Sequence, residues 1–342
     1  MVSHRRSTQS GVNRSVRVTV LSAAAATAAT LGAAAAHADP KDTSRTARAE
    51  IDRLYSEAEH ATEQYNKAGE NADRLRGELN RAQERLARGQ EQINRMRMAL
   101  GSAAAAQYRS GGIDPSLALL LSADPDSYLD RVATLDRLNA RQATALHELQ
   151  HARRGLAQVR AEAARSLAGL ERNKAAATRH KRTVEGKLRQ ARQLLGALPA
   201  ADRAAFDRAS RSGRDASFSA PADLPAGSSR AAAAVMAVRR AVGLPYIWGA
   251  NGPAGFDCSG LMQWAYAQAG VGLPRTSQAQ RYAGHMVPLS EARPGDLVAY
   301  RSDASHIGMY VGNGQVIHAP HPGAPVRYDP VGMMPVSSVT RV

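Results

Sequence analysis

Between Asp42 and about Tyr108, apolar residues return every three or four positions without a break. One line runs in steps of seven from Ile51 through Ala58 and Tyr65 to Leu100, and its companion runs from Leu54 through Ala61 and Ala68 to Ala103. Charged side chains fill the positions between, and no proline interrupts. Eight such heptads predict one long coiled-coil helix, not a helix of a globular core. Gly69 and Gly89 fall in this run, each lowering helix stability by about 1 kcal/mol relative to alanine. A second heptad run spans about Tyr128 to Leu198, on a seam that includes Leu135, Leu149, Leu156, Leu170 and Val184. Its companion seam decays into Ser166, Asn173, His180 and Lys187, so its distal part is expected to be the less stable.

The runs are joined by Ser110-Gly111-Gly112-Ile113-Asp114-Pro115, an apolar stretch Leu117-Ala118-Leu119-Leu120-Leu121, and Asp124-Pro125-Asp126. Glycine and proline there force a reversal, which predicts an antiparallel helical hairpin over 39–198 with arms roughly 100 Å long. The apolar tip either plugs the hairpin end or docks onto a partner. His60, His147, His151 and His180 lie in the coils without cysteine or carboxylate clusters of ligand spacing, and read as solvated-face or seam residues. From Pro199 the composition shifts to Ala, Ser, Pro, Arg and Asp, which reads as a linker over 199–229 that Phe206 and Phe218 could tack to a neighbour.

After Ser229 the period changes. Leu261 to Ala269 reads as an amphipathic helix stopped by Gly270. His306-Ile307-Gly308-Met309-Tyr310-Val311 alternates as a strand, Gly312-Asn313-Gly314 is a tight turn, and Gln315 to Ala319 is the return strand. Residues 230–342 are the right length for one compact α+β domain, with two or three helices packed on one side of an antiparallel sheet.

Cys258, in Gly255-Phe256-Asp257-Cys258-Ser259-Gly260, is the only cysteine of 342 residues, so no internal disulfide forms. The alternative to a reactive thiol is a buried, inert one. At the start of a helix, unpaired N–H groups and the dipole favour a thiolate, whereas the adjacent Asp257 disfavours it, so a partner base is needed. The hairpin sets His318 opposite Gly308 or Met309 and diagonal to His306. One imidazole can take the thiol proton while the other holds the first in its working tautomer.

Residues 1–38 read as an export signal. Arg5, Arg6, Arg14 and Arg17 precede an alanine-rich apolar run, and Ala36-His37-Ala38 fits a small-x-small cleavage site. Removal is favoured over a membrane anchor because alanine is only weakly apolar. The expected location is therefore outside the cell, secreted or in the wall. The chain carries 45 basic against 30 acidic side chains, an excess suited to anionic wall polymers or a membrane surface. Aromatics are only 4% of residues, too few for nucleic-acid stacking platforms, and no nucleic-acid motif is present.

The stretch from about Ala231 to Val342 resembles the NlpC-type cysteine peptidases of bacterial cell walls, a permuted papain-like fold. The resemblance rests on Gly243-Leu244-Pro245-Tyr246-Ile247-Trp248-Gly249, Asp257-Cys258-Ser259-Gly260, Leu273-Pro274-Arg275-Thr276-Ser277, Pro294-Gly295-Asp296-Leu297-Val298, His306-Ile307-Gly308-Met309-Tyr310 and Val316-Ile317-His318-Ala319. It implies Cys258 as nucleophile, His306 as base, His318 as the polar third member, and Tyr246 as a partner of the Cys258 N–H in polarising the attacked carbonyl. Asp257 and Ser259 would bind the free amino end of a peptidoglycan stem peptide, cut at its D-glutamyl–diamino acid bond. No metal or organic cofactor is implied. The tip segment resembles that of coiled-coil wall hydrolases that couple to division machinery, which favours docking to a membrane or division-complex protein. A non-catalytic wall-binding scaffold and an amidase or acyltransferase on the same fold are the alternatives.

Overall fold

The computed structural model describes residues 40–109, 117, 126–215 and 228–342. The leader, most of the hairpin tip and the proline-containing part of the linker with Phe218 lie outside the described residues.

The two heptad runs form α1 (Pro40–Arg109) and α2 (Asp126–Ala197). Cross-helix pairs join Glu57 to Lys187, Glu78 to Ser166 (3.2 Å), Arg85 to Glu162 (3.4 Å) and Gln90 to Arg160 (3.3 Å). One number falls as the other rises, so the helices are antiparallel and pair within a single chain. Burial follows the seams. Ile51, Leu54, Ala58 and Ala61 pack on Val184, Leu188, Ala191 and Leu198 at the base, and Ile93 packs near Leu149 and Leu156 farther out. Burying a Leu or Val side chain is worth about 2 kcal/mol, so the hairpin is held by its apolar seam and not by its half-exposed ion pairs.

The expected linker is partly a helix, α3 (Ala200–Asp215). Its alanines are strong helix formers, and Phe206 packs into the apolar base of the hairpin beside Leu194 and Leu195. Asp202 in its first turn accepts hydrogen bonds from Ser44 Oγ at 2.7 Å and Arg48 Nη2 at 3.1 Å of α1. A local compositional reading missed these tertiary partners.

The remaining chain forms α4 (Ser229–Arg240), α5 (Cys258–Gln268), the one-turn α6 (Ser277–Gln280), and strands β1 (His285–Val287), β2 (Leu297–Tyr300), β3 (His306–Gly312), β4 (Gln315–His318), β5 (Arg327–Pro330) and β6 (Val336–Arg341). The strands make one antiparallel sheet in the order β1-β6-β2-β3-β4-β5. The period of two sorts its faces: Leu297, Ile307, Met309, Val311 and Ile317 join the core beneath α4 and α5, while Val298, Tyr300, Val316 and Val339 form a second cluster. Met309 pairs with Ile317, which sets His318 opposite Gly308; a Cβ on Gly308 would stand 3.2 Å from the His318 Cβ. The β3–β4 turn runs through Gly312, Asn313 and Gly314, all at positive φ.

Candidate active site

Asp257 is the N-cap of α5, accepting the Gly260 N–H at 2.7 Å, and this fixes Cys258 as the first helical residue. Gly260 has no substitute, since a Cβ there would lie 2.2 Å from the Ala250 carbonyl oxygen. Phe256 bonds to the backbone of Pro245 and Ile247, which pins the buried Tyr246 beside the nucleophile turn.

His306 opens β3, and His318 closes β4. Both are buried, and their rings meet edge to face with His306 Nε2 at 2.7 Å from His318 Nδ1. A ring nitrogen of His306, the Cys258 sulfur and a carboxylate oxygen of Glu59 lie within 4.8 Å of one another. The structure thus brings together the nucleophile, base and third member expected from the sequence. Glu59, Cys258 and His306 are also ligand types that suit a divalent metal.

Glu59 belongs to α1. One face of that helix, carrying Glu59, Glu63, Asn66 and Glu70, lies on the catalytic domain. Glu59 bonds to His306 Nδ1 and accepts from Arg301 Nη1 at 2.6 Å. Glu63 accepts from the Ser259 hydroxyl at 2.6 Å and the Ser277 N–H at 2.7 Å, and stands 3.9 Å from the Cys258 sulfur. Asn66 Nδ2 donates to Asp257 at 3.1 Å, and Glu70 accepts the Arg275 N–H at 3.2 Å. Tyr65 stands edge-on to Trp248, and Tyr55 stacks on His321. His60, read from the sequence as a solvated-face or seam residue, reaches Asp303 at 3.1 Å.

These contacts reverse the expected state of the thiol. Burial, and then the carboxylates of Glu63, Glu59 and Asp257, push the Cys258 thiol well above its ordinary range, against the helix dipole. Burial acts to raise the Glu59 carboxyl too, but His306 and Arg301 outweigh it and hold Glu59 below the usual range. Ionised Glu59 only accepts, so His306 Nδ1 carries a proton in this arrangement and offers Cys258 no lone pair. Glu63, with Asp257 as neighbour and little solvent, is raised to about 7.

Asp257 is more heavily engaged than its sequence suggested. Beyond its cap it accepts the Gly249 N–H at 2.9 Å and both Arg275 nitrogens, at 3.0 and 2.6 Å. Arg275 also donates to Ser259 Oγ at 2.9 Å. On the far side, His318 Nε2 bonds to Asp329 at 2.7 Å, and Arg327 Nε holds the same oxygen at 2.8 Å. Sequence reasoning missed Glu59, Glu63, Asn66, Arg301 and Asp329. The acidic stripe on α1 repeats at helical spacing, yet a solvated face reads the same.

A thiol at the first turn of a helix, facing an imidazole on an antiparallel strand that a further polar group orients, defines a papain-like cysteine peptidase domain. Residues 243–339 match the NlpC/P60 family, and this part of the chain belongs to it. A probable endopeptidase of Corynebacterium glutamicum strain R is 45% identical over 131 residues, 36% of this chain and 62% of its own. A probable endopeptidase of Mycobacterium tuberculosis strain H37Rv is 50% identical over 99 residues, 29% of this chain and 26% of its own. The crystal structure of the P60 domain from the Mycobacterium avium subspecies paratuberculosis antigen MAP1204 is 35% identical, with 33% of this chain and 93% of that chain covered, at a TM-score of 0.31. The chain therefore spans less than two thirds of the curated relatives it matches.

Proposed function

We propose that the protein is a secreted peptidoglycan D,L-endopeptidase, working by a Cys258–His306–His318 thiolate mechanism. The carrying observation is a helix-start thiol within 4.8 Å of His306, whose far nitrogen is 2.7 Å from His318. With Glu59 of the arm withdrawn, His306 Nδ1 takes the thiol proton, the sulfur attacks an amide carbonyl, and the amine leaves with that proton. Water then hydrolyses the acyl-enzyme. The Cys258 N–H and the Tyr246 hydroxyl stabilise the oxyanion.

Asp257 and Ser259 bind the free amine of the stem peptide. The arm supports this reading, because the Asn66 amide already donates to Asp257 where an amine would arrive. The family and its relatives support a wall peptide as substrate, cut at the D-glutamyl–diamino acid bond. The basic excess and the leader read over 1–38 support a location in the wall or outside the cell. In the arrangement described, the arm closes the site, since Glu59, Glu63 and Asn66 occupy the groups the reaction needs. A membrane or division-complex partner at the hairpin tip, near the exposed Tyr108 and Leu117, would draw α1 away.

The test is digestion of purified sacculi followed by product masses. Cleavage between the second and third stem residues is expected, with none from Cys258→Ala at an unchanged fold. Release of whole stem peptides would instead mark an amidase, and undiminished cleavage by the alanine variant would sink the assignment.

A further inference from the structure

The hydrogen bond between His306 and His318, beside Cys258, continues to a further member. His318 turns one nitrogen to His306 and the other, Nε2, to the Asp329 carboxylate at 2.7 Å. Asp329 lies on β5, next to the strand that carries His318, where His318 pairs with Arg327. It is fixed from behind. Arg327 Nε donates to the same carboxylate oxygen at 2.8 Å, and Arg327 Nη1 donates to the Ser210 carbonyl of α3 at 2.7 Å. The carboxylate therefore has little freedom to rotate away from the ring.

An ionised carboxylate only accepts, and a neutral imidazole has one N–H to give. The proton of His318 must then sit on Nε2, facing Asp329. Its Nδ1 is left as a lone pair, which can only accept. The facing Nε2 of His306 is obliged to donate; while Glu59 sits on Nδ1 the ring holds a proton there as well, and once the arm's carboxylate leaves, the His306 lone pair falls on Nδ1. Two supporting observations agree. Burial, which outweighs the opposing bond to Asp329, takes His318 down to about 4, so it is neutral at working pH. Asp329, though burial acts to raise it, is held below the ordinary carboxylate range by His318 and Arg327.

We propose that Asp329 is a positioning residue that sets the tautomers of both histidines, and so decides which nitrogen of His306 serves as the base toward Cys258. The proposal rests on the thiolate reading of the site, but its primary readout does not need turnover. Asp329 does not touch the reacting atoms. Without it, His318 is free to carry its proton on Nδ1, which would oppose the N–H of His306 and favour the wrong tautomer of the base.

The experiment is long-range proton–nitrogen NMR of the full chain labelled with 15N-histidine, with the His318 signals assigned by their loss in His318→Asn. Wild type is expected to show His318 as the Nε2–H tautomer. Asp329→Ala is expected to move it toward the Nδ1–H form at an unchanged circular dichroism spectrum. In Asp329→Asn the amide oxygen can still accept from Nε2, so that variant keeps the wild-type tautomer. In the sacculus assay, kcat of the alanine variant should fall by about 10- to 100-fold with KM little changed, and the asparagine variant should recover part of it. A wild-type His318 protonated on Nδ1 overturns the proposal without any variant, as does a folded Asp329→Ala whose His318 tautomer is unmoved. The expected His318 tautomer together with inactivity of both the wild type and the folded Glu59→Ala, Glu63→Ala variant would instead sink the peptidase reading and leave the positioning role standing.

Discussion

Glu63 sits beside a second carboxylate, Asp257, with the Cys258 sulfur 3.9 Å away and Arg275, the Ser259 hydroxyl and the Ser277 N–H as the groups that ease its charge. Burial is the largest influence, Asp257 the next, and together they raise the carboxyl from 4.5 to about 7. With the arm released, Glu63 would return to the ordinary range, so closure binds a proton that release gives up. The proton-linked stability of the closed arrangement is fully present below about 4.5 and is lost as pH rises through 7. Between pH 5 and 8 the melting temperature of wild type should therefore fall relative to that of Glu63→Gln, which has no such proton to lose. Parallel pH profiles for the two proteins would rule this out. The Cys258 thiol is governed by the same arithmetic: a helix start favours the thiolate, but burial first, and then two carboxylates from α1 and one from its own cap, push the thiol up against it.

Among the elements, α1 shows how one residue type takes different roles along one helix. Gly89 and Gly69 look alike in sequence, as two weak points in a long helix. In the hairpin a Cβ on Gly89 would lie 3.0 Å from Leu156 Cδ1, whereas one on Gly69 would meet nothing within 4 Å. Gly89 is the hole into which a leucine of α2 fits. Gly69→Ala should thus stabilise α1 by about 1 kcal/mol through helix propensity alone, while Gly89→Ala should gain less or lose stability because Leu156 must move. Urea unfolding curves of the two variants would decide it, and an equal gain in both would refute the packing argument. The helix α3 teaches a related lesson, because alanine content proposes a helix and only the docking of Phe206 at the hairpin base makes that helix part of the fold.

At the scale of the whole molecule, two interfaces of different character meet on α1. The seam toward α2 is apolar and is stabilised by burial of leucines, valines and alanines. The face toward the catalytic domain carries Glu59, Glu63 and Asn66, all buried, each held by hydrogen bonds or ion pairs that must offset its desolvation. The desolvation of such buried ionic groups offsets much of their attraction, so this face contributes less to stability per contact than the apolar seam. Replacing both Glu59 and Glu63 with alanine should raise the rate at which iodoacetamide alkylates Cys258 at pH 7 by about tenfold or more, and should raise sacculus digestion with it. Unchanged alkylation in a folded double variant would exclude closure by these carboxylates. Among the described residues, no helix is long and apolar enough to cross a membrane.

The order of residues along the chain determined whatever depends on local period and short spacing. The heptads specified an antiparallel hairpin, the alternation from His306 to Ala319 specified two paired strands, and the Asp257-Cys258-Ser259-Gly260 turn specified a thiol at a helix start. His306 and His318 could be paired because a hairpin register is a local rule. Tertiary structure alone decided what faces the site from far along the chain. Glu59 comes 247 residues before His306, and nothing in an acidic stripe distinguishes a face turned to water from one turned to a buried thiol. Asp329 and Arg301 were hidden for the same reason, since burial and charge pairing belong to the folded arrangement and leave no periodic mark on the sequence.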